Sequence, residues 1–433
     1  MTQPLPLTEV LRPRHVAVVG ASSKGGGPGF VGGMKAMGFE GPVYPVNPKA
    51  DEIGGYKCYP SLLECPTDID YVISSVPAPV VPALIEHAIQ KNTRLIHLFT
   101  AGFSETGDPE RTELERQTIQ RAVDHGIRIL GPNCMGLYIP RARVSFMTDV
   151  PTEPGNVTMI SQSGANASEF THRAMVRGIR FASVFSYGNG ADLRDAELLE
   201  YAAADPDTDI ITMYTEGVKD GRRFFEALKR AAAVKPVIIL KGGRTDAGGR
   251  AARSHTGSLA GSIQVFDAVC RQAGAIRVTS LDELVDVTVA FRFMRRPVGN
   301  RFVMVLSGGG TSVLAADDLA SAGLDTPPLT DEVREELAKY IPVAGTSIRN
   351  PVDINMFTDN ESLPQILDAV GSAANADALY FHVSFNWNLP GDPAERAEQL
   401  VERLHAAQGR NAKPMVIVVE PGRELHQGEQ EHA

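Results

Sequence analysis

Short apolar runs that end in glycine or small polar residues alternate along this chain with longer amphipathic stretches. HVAVVGAS comes first, and PVYPVN, YVISSV, RLIHLFT and IRILG follow at intervals that leave room for helices such as Val80–Lys91 and Arg111–His125. Near-continuous hydrophobicity within a short run predicts a strand covered on both faces, as in a parallel sheet wrapped by helices. The alternation therefore predicts a Rossmann-like α/β domain over residues 1–148. The Pro- and Gly-containing stretch Asp149–Gly155 reads as a linker. VTMISQSG, FASVFSYG, IITMYTEG and VIILKGG then repeat the pattern and predict a flavodoxin-like sheet over 149–297. After the basic hinge RFMRRPVGNR, the runs FVMVLSGGG, ALYFHVS and MVIVVEPG predict a second flavodoxin-like parallel sheet over 298–433. This third segment stops soon after its last readable strand, so an incomplete last domain is expected, and with it a subunit or a fragment.

Composition narrows the function classes. At 433 residues and 43% hydrophobic, the chain can bury several cores. A net charge of -10 and a pI near 5.6 argue against nucleic-acid binding, which needs a basic footprint. Cys58, Cys65, Cys134 and Cys270 are far apart and form no CxxC pair, so neither a metal site nor a disulfide framework is expected. The start lacks a signal-peptide pattern and no run is long enough to span a membrane, which makes a cytoplasmic location the expectation.

The strand ends carry the candidate chemistry. Gly20, Ala21, Ser22 and Ser23, then Gly25–Gly27, lie between the first strand and the next helix, where backbone amides and a helix amino end suit a phosphate. Such loops hold several nucleotides, and some only make a tight turn. At the end of the second strand a NAD site places Asp or Glu; here PVNPK ends in Lys49. A cation there suits a phosphorylated ribose, as in coenzyme A or NADP, although a lone lysine is more often a solvated surface residue. Val76-Pro77, Thr100-Ala101-Gly102 and GPNCMG (131–136) end the later strands and would meet at the same crevice.

GASS, YPVNPK, TAGFSETG and GPNCMG, in this order, resemble the CoA-binding domain of ADP-forming acyl-CoA synthetases and the related succinyl-CoA ligases. The resemblance runs over nearly the whole chain. It implies that loop 20–27, Lys49, Val76, Pro77, Thr100, Ala101, Gly102 and Asn133 contact CoA.

His255 sits among small polar residues in SHTGSLAG, where a neutral imidazole can attack an acyl phosphate or a nucleoside phosphate. The motif resembles the family's phosphohistidine loop. A nucleophilic imidazole needs an acceptor on its other nitrogen, and Glu216 of YTEG, at a strand end, is the candidate. SQSGANAS places Ser161, Ser163 and Gly164 where a strand turns into a helix, a place for phosphate or for an ordinary serine cap. Asn189 of SYGNGAD is expected near the acyl group, and KGGRTDAGGRAARSH supplies flexibility and positive potential. SGGGTS (307–312) and NPVDI (350–354) resemble the family's second ligase domain; the glycines either line the site or permit close packing.

The resemblance implies a ligase that interconverts acyl-CoA, ADP and phosphate with carboxylic acid, CoA and ATP. An acyl phosphate and a phosphohistidine would be its intermediates. No stretch reads as an ATP-grasp domain, so ATP, ADP and Mg²⁺ are expected on an ATP-grasp partner subunit or domain, in an oligomer. The rival readings are a catalytically dead CoA-sensing module, against which intact His255 and Glu216 count, and an NAD(P)-dependent oxidoreductase, against which Lys49 counts.

Overall fold

Strands Val16–Val19, Tyr71–Ser74 and Leu95–Leu98 are buried at every position. Burial on both faces is what continuous apolar runs require, and helices from the intervening segments supply the cover. The computed structural model describes residues 6–22, 29–245, 247–249, 262–342, 346–354, 362–384 and 392–420. It divides into two units, Met1–Arg292 and Phe293–Ala433.

The first sheet of the larger unit is parallel throughout, in the order Val43–Val46, Val16–Val19, Tyr71–Ser74, Leu95–Leu98, Arg128–Leu130. Counted along the chain this is 2-1-3-4-5, the doubly wound order with a switch point between its first and third strands. Helix Pro109–Asp124 starts where Asp108 accepts the amides of Glu110 and Arg111 at 2.8 and 3.4 Å, with Pro109 in the first turn.

The second sheet repeats the plan. Its parallel strands run Ile276–Val278, Val237–Lys241, Ile210–Thr215, Val157–Ser161, Phe181–Ser186. Helix Gly221–Val234 covers it with Phe224, Ala227, Leu228 and Ala231, a helical spacing, and is capped by Asp220. Strands Gly136–Ile139 and Val144–Ser145 extend this sheet antiparallel beyond Phe181–Ser186. Residues 136–145, which the sequence pattern assigns to the first domain, are thus hydrogen-bonded into the second sheet. Neither these strands nor Ile276–Val278 are legible in the sequence, because such short edge segments carry no period of their own.

The two sheets share one core. Phe30, Met34, Tyr71 and Leu130 belong to the same buried cluster as Tyr138, Phe170 and Phe181. Buried Arg128 fastens the last strand of the first sheet to the segment that follows Phe181–Ser186, with Asp192 at 3.0 Å and Glu197 at 2.7 Å.

In the smaller unit the sheet order is Ser347–Ile348, Val352–Asp353, Phe302–Leu306, Ala378–Ser384, Met415–Glu420, and Ser347–Ile348 pairs antiparallel. NPVDI is structural here. Asn350 binds the Met304 amide and the carbonyls of Phe302 and Pro327, while Asp353 accepts the Gly308 amide at 3.0 Å. Asp353 thus holds the start of the SGGG turn. Among the described residues, no helix is long and apolar enough to cross a membrane.

Candidate functional site

The carboxyl ends of the first sheet converge on its switch point, and their loops are tied in series. Gly20 donates to Val46 O at 3.0 Å and Ser75 to Val19 O at 2.8 Å. Gly20 has φ +87°, and a Cβ there would lie 3.0 Å from the Ser75 carbonyl carbon. Only glycine therefore brings the backbone this close to the third strand. Asn47 donates to Ala21 O and accepts the Lys49 amide, both at 2.8 Å, so one side chain joins the first loop to the turn that carries Lys49. Lys49, Pro77 and Ala101 are exposed, and Ser22 with them. Thr100 is buried: its hydroxyl bonds Ser74 Oγ at 3.2 Å and Val76 O at 2.8 Å, which leaves the backbone beyond it to face outward. Asn133 has φ +57° and donates its amide to Thr100 O at 2.9 Å. Ser23 and the rest of the loop up to Pro28 lie outside the described residues.

A second group forms at the ends of the second sheet. Glu216 is buried, immediately after strand Ile210–Thr215. Its amide, and that of Gly217, donate to Gln162 Oε1 at 2.7 and 3.1 Å. Its carbonyl accepts Lys241 Nζ at 2.6 Å, and its carboxylate accepts the Tyr214 hydroxyl at 3.2 Å. Burial lowers the Lys241 pKa, partly offset by Glu216. Burial first, then the Glu216 charge, raises the Tyr214 pKa, which keeps that phenol a neutral donor. Beside this group helix Gly164–Val176 begins. Ser163 caps it by accepting the Asn166 amide at 3.3 Å, and the Ser161 hydroxyl bonds Ser163 O at 2.6 Å. The serine hydroxyls thus shape the turn, and the helix amino end is what an anion would meet. His255 lies outside the described residues.

The two groups meet through the SYGNGAD loop. Gly188 passes so close to the GPNCMG turn that a Cβ on it would lie 2.3 Å from the carbonyl oxygens of Pro132 and Asn133. Asn189 is buried, and its side-chain amide donates to Glu105 Oε2 at 2.7 Å and to Glu115 Oε2 at 3.2 Å. Lys219 donates to the Asn189 carbonyl at 2.8 Å, and burial of the ammonium lowers its pKa although the residue as a whole is exposed. No cluster of three metal-binding side chains occurs among the described residues.

The "CoA binding domain" family matches residues 14–140, and the "Succinyl-CoA ligase like flavodoxin domain" family matches 154–291. The alpha subunit of ADP-forming acetate–CoA ligase I from Pyrococcus furiosus is 37% identical over 425 residues, covering 96% of this chain and 90% of that one. The chain belongs to the ADP-forming acyl-CoA ligase family. It spans the alpha subunits almost fully, but only 52% of the ADP-forming 4-hydroxybutyrate–CoA ligase of Nitrosopumilus maritimus, to which it is 34% identical over 367 residues. A solved acetyl-coenzyme A synthetase 1 from Ca. Korarchaeum cryptofilum, in complex with phosphate and ADP, superposes with a TM-score of 0.84 at 33% identity, covering 97% of this chain and 90% of that one.

Within this family frame, the residues that sequence reasoning missed are those that hold the named ones in place. Gln162, Lys241 and Tyr214 fix Glu216; Asn47 fixes the loop of Ala21; Glu105 and Glu115 fix 102–104. Gln162 and Glu105 stand inside the motifs SQSG and FSETG, but Gln162 meets Glu216, and Glu105 meets Asn189, only across the fold.

Proposed function

We propose that this chain is the CoA-binding and phosphohistidine-bearing subunit of an ADP-forming acyl-CoA ligase, with acetate the first candidate acid. Its three domains in this reading are 1–148, 149–297 and 298–433, the first lending strands Gly136–Ile139 and Val144–Ser145 to the sheet of the second. The observation that carries the reading is the buried Glu216 carboxylate. It is held at a strand end with Tyr214 as its donor, in a chain that also carries SHTGSLAG.

CoA would lie over the first sheet, with its phosphates at Gly20–Ser23, its ribose phosphate near Lys49 and its pantetheine arm along Val76, Pro77, Thr100–Gly102 and Asn133. A phosphate oxygen attacks the thioester carbon; the C–S bond breaks, and the thiolate takes up the proton to leave as CoA. The amino end of helix Gly164–Val176, with Ser161 and Ser163 shaping it, offers amides to the acyl phosphate. A neutral His255 nitrogen then attacks phosphorus, and the carboxylate leaves. Glu216 accepts the other ring N–H and balances the charge that develops. Transfer from phosphohistidine to ADP belongs to an ATP-grasp partner with Mg²⁺.

The test is a ³²P label on the chain from acetyl-CoA and phosphate. A phosphoramidate is acid-labile and base-stable. His255→Ala is expected to abolish that label while leaving CoA binding intact. An acid-labile label that persists in His255→Ala places the nucleophile elsewhere.

A further inference from the structure

One side-chain amide from the second sheet serves two carboxylates that shape a CoA-side loop of the first. The loop after Leu95–Leu98 carries Thr100–Gly102, against which CoA would lie. Its shape depends on two acids: Glu105 accepts the amides of Gly102 and Phe103, and Glu115 accepts the amide and the hydroxyl of Ser104. Both acids also accept from the side-chain amide of Asn189, which follows strand Phe181–Ser186 of the other sheet. Asn189 is only 2% exposed and is anchored at three further points. Its amide donates to Pro132 O at 2.9 Å, its carbonyl accepts Lys219 Nζ, and its Oδ1 faces Asn133 Nδ2 at 3.5 Å. The CoA-side loop is therefore held by the same residue that packs on the GPNCMG turn.

We propose that Asn189 is a positioning residue that sets where the CoA thioester stands relative to the phosphoryl-transfer site. This rests on the ligase reading above. Asn189 acts through Glu105 and Glu115 rather than on the acyl group, and its required property is an uncharged donor facing two carboxylates. An aspartate is nearly isosteric but reverses the polarity: it would put a third carboxylate against the two. The ammonium of Lys219 at this junction already serves the Asn189 carbonyl.

The experiment uses two routes to one product on the full chain. Acetyl [³²P]phosphate labels His255 without CoA chemistry. Acetyl-CoA with [³²P]phosphate labels it only after the thioester has been attacked. Asn189→Asp is expected to lower the ratio of CoA-dependent to CoA-independent labelling about 100-fold, the scale of a misplaced reactant. KM for acetyl-CoA should move much less than the rate. Adding Glu105→Gln to Asn189→Asp gives the aspartate a facing amide, and should restore about tenfold of the loss, the worth of one well-made hydrogen bond. Equal loss by both routes would mean a merely structural role and overturn the proposal, as would an unchanged ratio or an absence of rescue. A wild-type chain that takes no acid-labile label from either donor removes the ligase reading itself, and this proposal with it.

Discussion

Gln162 Oε1 accepts the amides of both Glu216 and Gly217, at 2.7 and 3.1 Å, across the two central strands of the second sheet. One side-chain oxygen thus fixes the turn that presents the glutamate. Gln162→Ala takes that acceptor from two buried amides, and each such loss costs roughly 1–3 kcal/mol. A lower midpoint of chemical denaturation is expected, together with slower labelling of His255. An unchanged midpoint would show that the turn is held by other means.

Glu216→Gln separates chemistry from folding. The backbone of residue 216 keeps its bonds to Gln162 and Lys241, and the amide oxygen still accepts from Tyr214. Stability should change little. The rate of phosphohistidine formation should fall steeply, toward the ~10⁴-fold scale known for an orienting carboxylate in a catalytic triad. Rapid-quench labelling measures the rate and thermal melting the stability; a rate within a few fold of wild type would take Glu216 out of the role.

Lys49 is exposed on a turn that Asn47 ties to the first loop. If its ammonium meets the ribose phosphate of CoA, Lys49→Glu should weaken CoA about tenfold more than dephospho-CoA, a difference of one decade in Kd. Calorimetric titration of both ligands decides; equal weakening would assign Lys49 elsewhere.

His97 makes the fold acid-sensitive. It is fully buried, its Nε2 lies 3.0 Å from Cys134 O and its Nδ1 3.4 Å from the Tyr71 hydroxyl. Burial depresses its pKa from 6.5 to about 4, against a smaller opposing effect of the Cys134 carbonyl. The unfolded chain therefore takes up a proton that the folded chain refuses. The contribution is full above pH 6.5 and is lost as pH falls from 6.5 toward 4, by ~3 kcal/mol at most. Denaturation midpoints at neutral and mildly acid pH should diverge in the wild type and converge in His97→Gln.

The sequence by itself determined the class of fold and the family, and it named the candidate site residues. Strands buried on both faces must be continuously apolar, so HVAVVG, VTMISQSG and their like are visible without coordinates. Turns of glycine and small residues beyond such strands are local as well, so GASS and SQSG are visible as candidate phosphate sites. Asp108 and Asp220 as caps follow from the same local chemistry. What the tertiary structure decided is everything whose partner is far along the chain. Gly136–Ile139 joins the second sheet because Phe181–Ser186 leaves that edge open to it, a pairing no local pattern encodes. The Asn189 amide meets Glu105 and Glu115 from 84 and 74 residues away, and Gln162 meets Glu216 from 54. A side-chain type at one position constrains what it can bond, but only the packing of two sheets on a common core chooses which group it finds.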